Sequence, residues 1–213
     1  MSIGEIKIRI WRDQIRSIRR YYKNPRFALL DLSFGFLSFF SNPYRTCRKF
    51  LEKRGEPDVY VYGETPLTTY EQLSLACEIQ PKDHWLELGS GRGKGCFWMA
   101  EFIGCQTTGI EWVPQFVRWA RFFKFLFRQR NLSFEIKDMR EVDFAPGTVV
   151  YLYGTCLSEE FIQQLSEKMR ELPQGAKVIS ISEPLNCEWL ALAKTFEVRY
   201  PWGDTEAFLH IKL

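Results

Sequence analysis

A chain of 213 residues with 46% apolar and 16% aromatic side chains can build one sizeable core, which excludes a disordered polypeptide. Its formal charge of +3 is unevenly divided: residues 1–60 carry 13 Lys/Arg against 6 Asp/Glu, and the remaining 153 carry 16 against 20. That asymmetry admits a basic N-terminal face meeting an anionic membrane surface or nucleic acid, or a plain solvated helix surface.

Six scattered cysteines without a C-x-x-C pair, and only His84 and His210, fit neither a disulfide scaffold nor a zinc site. The expectation is a metal-free protein of a reducing, cytoplasmic compartment. The start, "MSIGEIKIRIWRDQIRSIRR", has no apolar signal core. The longest apolar stretch, residues 27–40, is about half a membrane span and contains Asp31.

In chain order, breaks before Pro25 and Pro43 predict three short helices over a basic N-terminal cap, residues 1–58. Ile8, Trp11, Ile15 and Ile18 recur near helical spacing with arginines between them. An interfacial helix on anionic lipid, a nucleic-acid contact, or packing on the core with solvated arginines would each suit; packing is the expected one. Residues 56–66 read as a linker or strand.

From residue 59 to 213 helical and strand patterns alternate. A helix from Leu67 leads to strand "HWLEL", a glycine turn and the helix "GCFWMAEFI". Strand "TTGIEW" precedes a long aromatic helix starting at Pro114, whose surplus rings call for cover by the N-terminal segment. "LSFEIKD", "TVVYLYG" and "AKVISIS" are further strands, with a helix over 157–172 before the last. The tail reads as a hairpin with Ala207, Leu209, Ile211 and Leu213 on one face. The fold class is therefore α/β, a mostly parallel sheet with an antiparallel hairpin strand at its edge and a helical N-terminal extension.

Glycines 89, 91 and 93 fall at the carboxyl end of the first sheet strand, where open α/β sheets bind ligands. Neither register satisfies G-x-G-x-x-G, and Gly93-Lys94 is followed by Gly95 rather than the Ser or Thr of a Walker loop. What remains is E-x-G-x-G-x-G from Glu87 to Gly93, which looks like the S-adenosylmethionine (SAM) motif of class I methyltransferases. Acids end the next two strands: Glu111, placed to grip ribose hydroxyls, and Asp138, placed to meet adenine. Each also suits a helix cap or solvated loop.

With "PDVYVYGETPLTTYEQL" ahead of this loop, residues 57–213 resemble the DOT-type protein-lysine methyltransferases, a seven-strand class without a SET domain. The resemblance implies a Rossmann-like seven-stranded sheet, SAM as cofactor and a protein substrate. It implies that Tyr62, Gly63, Glu64 and Thr65 cover the methionine end, and that "ELGSGRGK" supplies Glu87, Gly89, Ser90, Gly91, Gly93 and Lys94. Glu111, Asp138 and Met139 would complete the cofactor site. Trp202 falls on a tryptophan of the lysine channel. Where the family carries an Asn-Asn-Phe-like segment, this chain has Tyr153-Gly154-Thr155, so Tyr153, Thr155 and Trp202 are the candidate catalytic residues. An RNA or small-molecule methyltransferase, and a SAM-binding protein without activity, are the alternatives. Cys156 lacks the Pro-Cys context of a cytosine-5 nucleophile, and core packing accounts for Tyr151, His84 and His210.

Overall fold

The computed structural model describes residues 2–59, 61–154 and 157–213. Three helices open it. In α1 (Ile3–Tyr21) the Ser2 hydroxyl accepts from the Glu5 amide while the Glu5 carboxylate accepts from the Ser2 amide, a capping box. Both α2 (Pro25–Phe40) and α3 (Pro43–Arg54) start at a proline, behind Asn24 and Asn42, whose side chains accept first-turn amides.

Seven strands form one sheet: β1 (His84–Leu88), β2 (Gln106–Glu111), β3 (Leu132–Ile136), β4 (Val149–Leu152), β5 (Lys177–Ile181), β6 (Leu190–Tyr200) and β7 (Gly203–Lys212). Their order is β3-β2-β1-β4-β5-β7-β6, with only the β5–β7 and β7–β6 pairs antiparallel. The order reverses between β1 and β4, the switch point of the sheet. Helices α4 (Leu67–Ala76), α5 (Lys94–Trp98) and α6 (Pro114–Leu126) share one core with Trp85, Tyr151 and Ile179, and α7 (Glu159–Lys168) covers the other face over Leu86, Leu88 and Val150. Burial on both faces is why the parallel strands read as nearly continuous apolar runs.

The structure differs from the sequence reading in three places. The helix after the glycines is α-helical only to Trp98 and continues as a π-helical turn, Met99–Ile103, to Gly104. Of the two readings of residues 56–66, linker and strand, the linker holds, since no strand forms there among the described residues. Strand β7 lies between β5 and β6, which leaves β6 at the edge, and Ala207 through His210 are all buried, so burial there does not alternate.

The third difference concerns α1. Its polar side makes the docking contacts: Thr68 donates to Asp13, Arg9 pairs with Asp204 at 2.9 Å, and Arg20 pairs with Glu71. Because α4 and the hairpin turn offer polar partners there, the stripe of Ile8, Trp11 and Ile18 faces solvent instead of the core. By contrast α2 covers α6 as expected, Phe34 meeting Phe123 with ring centroids 4.6 Å apart.

Candidate active site

Beyond Leu88 the backbone turns sharply, with Gly89, Gly91 and Gly93 all at positive φ (75°, 54° and 83°). The bareness serves two purposes. A Cβ on Gly91 would lie 3.5 Å from the Tyr62 ring, across the mouth of a crevice that Gly89, Ser90 and Gly91 line. A Cβ on Gly93 would lie 2.5 Å from the Phe134 ring, and one on Gly95 would lie 2.0 Å from Tyr70. Gly93 therefore lets the loop pack on β3, and it lines no part of the crevice.

The crevice has a narrow polar end and a wide one, meeting at Gly63, Gly89, Gly91 and Tyr153. The narrow end, about 30 Å³, lies among Glu64, Thr65, Tyr70, Glu87, Ser90 and Lys94. The wide end, about 460 Å³, is walled by Leu51, Ile110, Trp112, Met139 and Phe161, with Glu111 and Asp138 on its rim. Helix α3 thus builds part of the site. The cap and the catalytic region share it.

Each acid has a defined setting. Glu87 accepts from Tyr70 Oη at 2.7 Å, Trp85 Nε1 at 3.1 Å and Cys96 Sγ at 3.3 Å, yet its burial outweighs these donors and pushes its pKa up to about 7. Burial works against the charge of Glu64, but Lys94 and Arg92 outweigh it and hold the carboxylate below its ordinary range. Glu111 accepts the amides of Gly91 and Val113, both at 2.7 Å, and burial raises its pKa against them. Each of its oxygens keeps a second lone pair for a hydroxyl donor. Asp138 accepts a fork from Arg140, at 3.0 Å from Nε and 2.6 Å from Nη2, as well as the Arg140 amide. Those bonds depress its pKa and make it the cap of a short 3-10 turn. Met139 reaches back over Gly89, its methyl 3.6 Å from where a Cβ would stand.

The loop of residues 62–65 is tied from both sides. Tyr62 Oη donates to Glu64 at 2.6 Å, and Arg92 holds Glu64 while donating to Ser38 Oγ at 2.7 Å and to the Phe34 carbonyl. Thr65 Oγ1 and Tyr151 Oη lie 2.8 Å apart, and Tyr151 Oη meets Tyr200 Oη at 2.9 Å. Lys94 pairs with Asp31 of α2 at 2.8 Å.

Beside the meeting point Tyr153, Tyr200 and Trp202 stack in a ladder, with centroids 5.2 and 5.3 Å apart, and Trp202 Nε1 donates to Tyr153 Oη at 3.0 Å. A groove of about 1210 Å³ opens here, bounded by both end rings and by α7 and residues 180–189. Thr155 and Cys156 lie outside the described residues. His84 and His210 are away from the crevice, bonded to Thr108 Oγ1 and the Leu185 amide, with pKa values lowered by burial. Arg92, Tyr200 and the α3 wall escaped the sequence reading; the basic residue inside the glycine run was the one available signal.

A SAM molecule fits the donor set. The free lone pairs of Glu111 suit a vicinal diol, an apolar slot suits adenine, and a small end holding both carboxylates and Lys94 suits a zwitterionic tail. The buried Ser90 hydroxyl, without a protein partner among the described residues, is a further free polar group at that end. Fold and crevice together are those of the class I, SAM-dependent methyltransferases.

Comparison with known proteins narrows the class. The family model "Histone methylation protein DOT1" matches residues 49–151, just under half of the chain. A histone-lysine N-methyltransferase, H3 lysine-79 specific, from Dictyostelium discoideum is 24% identical over 136 residues, 57% of this chain and 7% of that protein. The Drosophila melanogaster enzyme of the same description is 27% identical over 59% of this chain and 8% of its own length. The chain thus spans under a tenth of these relatives. Among solved structures, an RNA methyltransferase from Salinibacter ruber in complex with S-adenosyl-L-homocysteine (SAH) superposes with a TM-score of 0.60. It is 26% identical and covers 70% of this chain and 94% of its own.

Proposed function

We propose that this chain binds SAM in the crevice and transfers its methyl group to a lysine of a basic protein segment. The charge of the acceptor groove carries this reading. Of its described charged lining residues, Glu159, Glu167, Glu183 and Glu188 are acidic and Arg170 is basic, an arrangement that attracts a cationic peptide and repels a phosphate backbone. Arg170 is itself stacked on Trp189, 3.9 Å from the ring centroid.

Bound SAM supplies a methyl carbon on a sulfonium, and its transfer to nitrogen is an in-line displacement in which the protein positions and desolvates. The acceptor amine has to be neutral. At a reference pKa of ~10.4 that costs roughly 4.6 kcal/mol at pH 7. Tyr153 lines both groove and crevice and Trp202 lines the groove beside it, with buried Tyr200 stacked between them; such aromatic surroundings withdraw water and depress a lysine pKa. Glu64, fixed by Arg92 and Tyr62, gives the narrow end a permanent negative charge suited to the ammonium of the SAM tail.

The Salinibacter neighbour favours a second reading, an RNA acceptor. Incubating the protein with tritiated SAM and cell lysate, then digesting with protease or ribonuclease, separates the two. Protease-sensitive label that returns as methylated lysine after hydrolysis is expected. Ribonuclease-sensitive label would overturn the lysine reading, and tight SAM binding without label anywhere would leave a binding protein without transferase activity.

A further inference from the structure

The N-terminal helices present to solvent what amphipathic helices normally bury. On α1 the polar side docks and Ile8, Trp11 and Ile18 point outward, flanked by exposed Lys7, Arg12 and Arg19. On α2 the inner residues Phe27, Leu30, Phe34 and Leu37 are buried, while Leu29, Leu32, Phe36, Phe39 and Phe40 stand on the opposite side, Phe39 being 87% exposed. Both helices lie over the α4–α5–α6 layer, so both free faces look away from the sheet. Next to them α6 adds exposed Phe122, Phe125 and Leu126.

The charges around these rings have one free sign. Residues 1–40 hold eight Lys/Arg and three acids. Every one of those acids is already engaged: Glu5 with the Ser2 amide, Asp13 with Thr68, and Asp31 with Lys94 and Tyr22. Of the cations Arg9 and Arg20 pair with Asp204 and Glu71, while Lys7, Arg12 and Arg19 stay exposed on α1, and outward apolar side chains next to them match the boundary between acyl chains and acidic headgroups. A nucleic acid would use the cations but gives these Phe and Leu side chains nothing to contact.

We infer that the outer faces of α1 and α2 seat this protein on the surface of an anionic lipid bilayer, without crossing it. No helix among the described residues is long and apolar enough to span a membrane, which agrees with attachment from one side. The inference does not depend on the proposed acceptor, because the docking face contains none of the crevice residues.

Sedimentation of the full chain with phosphatidylcholine vesicles containing about a third phosphatidylserine tests it, with pure phosphatidylcholine vesicles alongside. The expected result is binding to the acidic vesicles that weakens steeply with salt. It should fall at least tenfold in a Phe36→Glu/Phe39→Glu variant, and also in Arg12→Glu/Arg19→Glu. These positions are exposed, and unchanged circular dichroism and SAH binding would show that the variants fold. Wild-type protein left in the supernatant would overturn the inference, as would equal binding by the variants. Concentration-dependent dimerisation abolished by the phenylalanine variant, without vesicle binding, would assign the face to a second copy instead.

Discussion

Replacing Glu87 by Gln probes the floor of the crevice through its proton. The carboxyl is fully enclosed, and its pKa rises from an ordinary 4.5 to about 7. A group protonated in the folded state and ionised in the unfolded one makes folding take up a proton, so stability falls as pH rises from 4.5 towards 7 and is level above. The full span corresponds to 2.5 pH units at ~1.36 kcal/mol each, about 3 kcal/mol. Gln cannot titrate and so lacks this slope. Its amide faces the Trp85 N–H as well as the Tyr70 hydroxyl, which shifts absolute stability but not the pH dependence. Urea denaturation of both proteins between pH 4.5 and 8 is the assay. Taking the difference removes the opposing contributions of His84 and His210, whose lowered pKa values add stability as pH rises. The wild type should lose stability relative to the variant up to pH 7, and saturating SAH should flatten that loss by stabilising ionised Glu87 beside its ammonium. Parallel curves without ligand would refute the assignment of a buried, proton-bearing Glu87.

Glu111→Ala removes an acceptor for ribose hydroxyls and frees the Gly91 and Val113 amides; SAH affinity should drop by at least ~1.5–3 kcal/mol in calorimetry, the worth of one charge-assisted hydrogen bond. Gly95→Ala forces a methyl into the buried Tyr70 ring and should cost about 1–3 kcal/mol in urea denaturation, although Gly95 was not singled out as a ligand-binding glycine. Charge reversal in the groove, Glu159→Lys with Glu183→Lys, should raise KM for a basic peptide while changing kcat little.

The alternating strands and helices, the mostly parallel sheet and the crevice were legible because each rests on local pattern: apolar runs, a glycine turn, and an acid at each following strand end. Three features were not. The orientation of α1 depended on where polar partners lay across the fold, at Thr68, Glu71 and Asp204, and an Ile–Trp stripe looks the same whether it packs or faces water. Glycine type did not distinguish Gly91, which faces the crevice, from Gly93, which accommodates Phe134 from 41 residues away. Tyr200 and Trp202 meet Tyr153 only because β7 returns beside β5, a pairing no local signal encodes. Asp138 kept both of its readings: it sits on the crevice rim and caps its own turn with Arg140.

The account stands on the crevice holding an adenosyl sulfonium rather than a phosphate-bearing nucleotide. Calorimetric titration of the purified chain with SAH, NAD and ATP in parallel examines that directly. One equivalent of SAH should bind, Gly91→Val should abolish it by crowding Tyr62 at a left-handed position, and NAD and ATP should give no heat. Binding of NAD or ATP in place of SAH, or SAH binding indifferent to Gly91→Val, would contradict it.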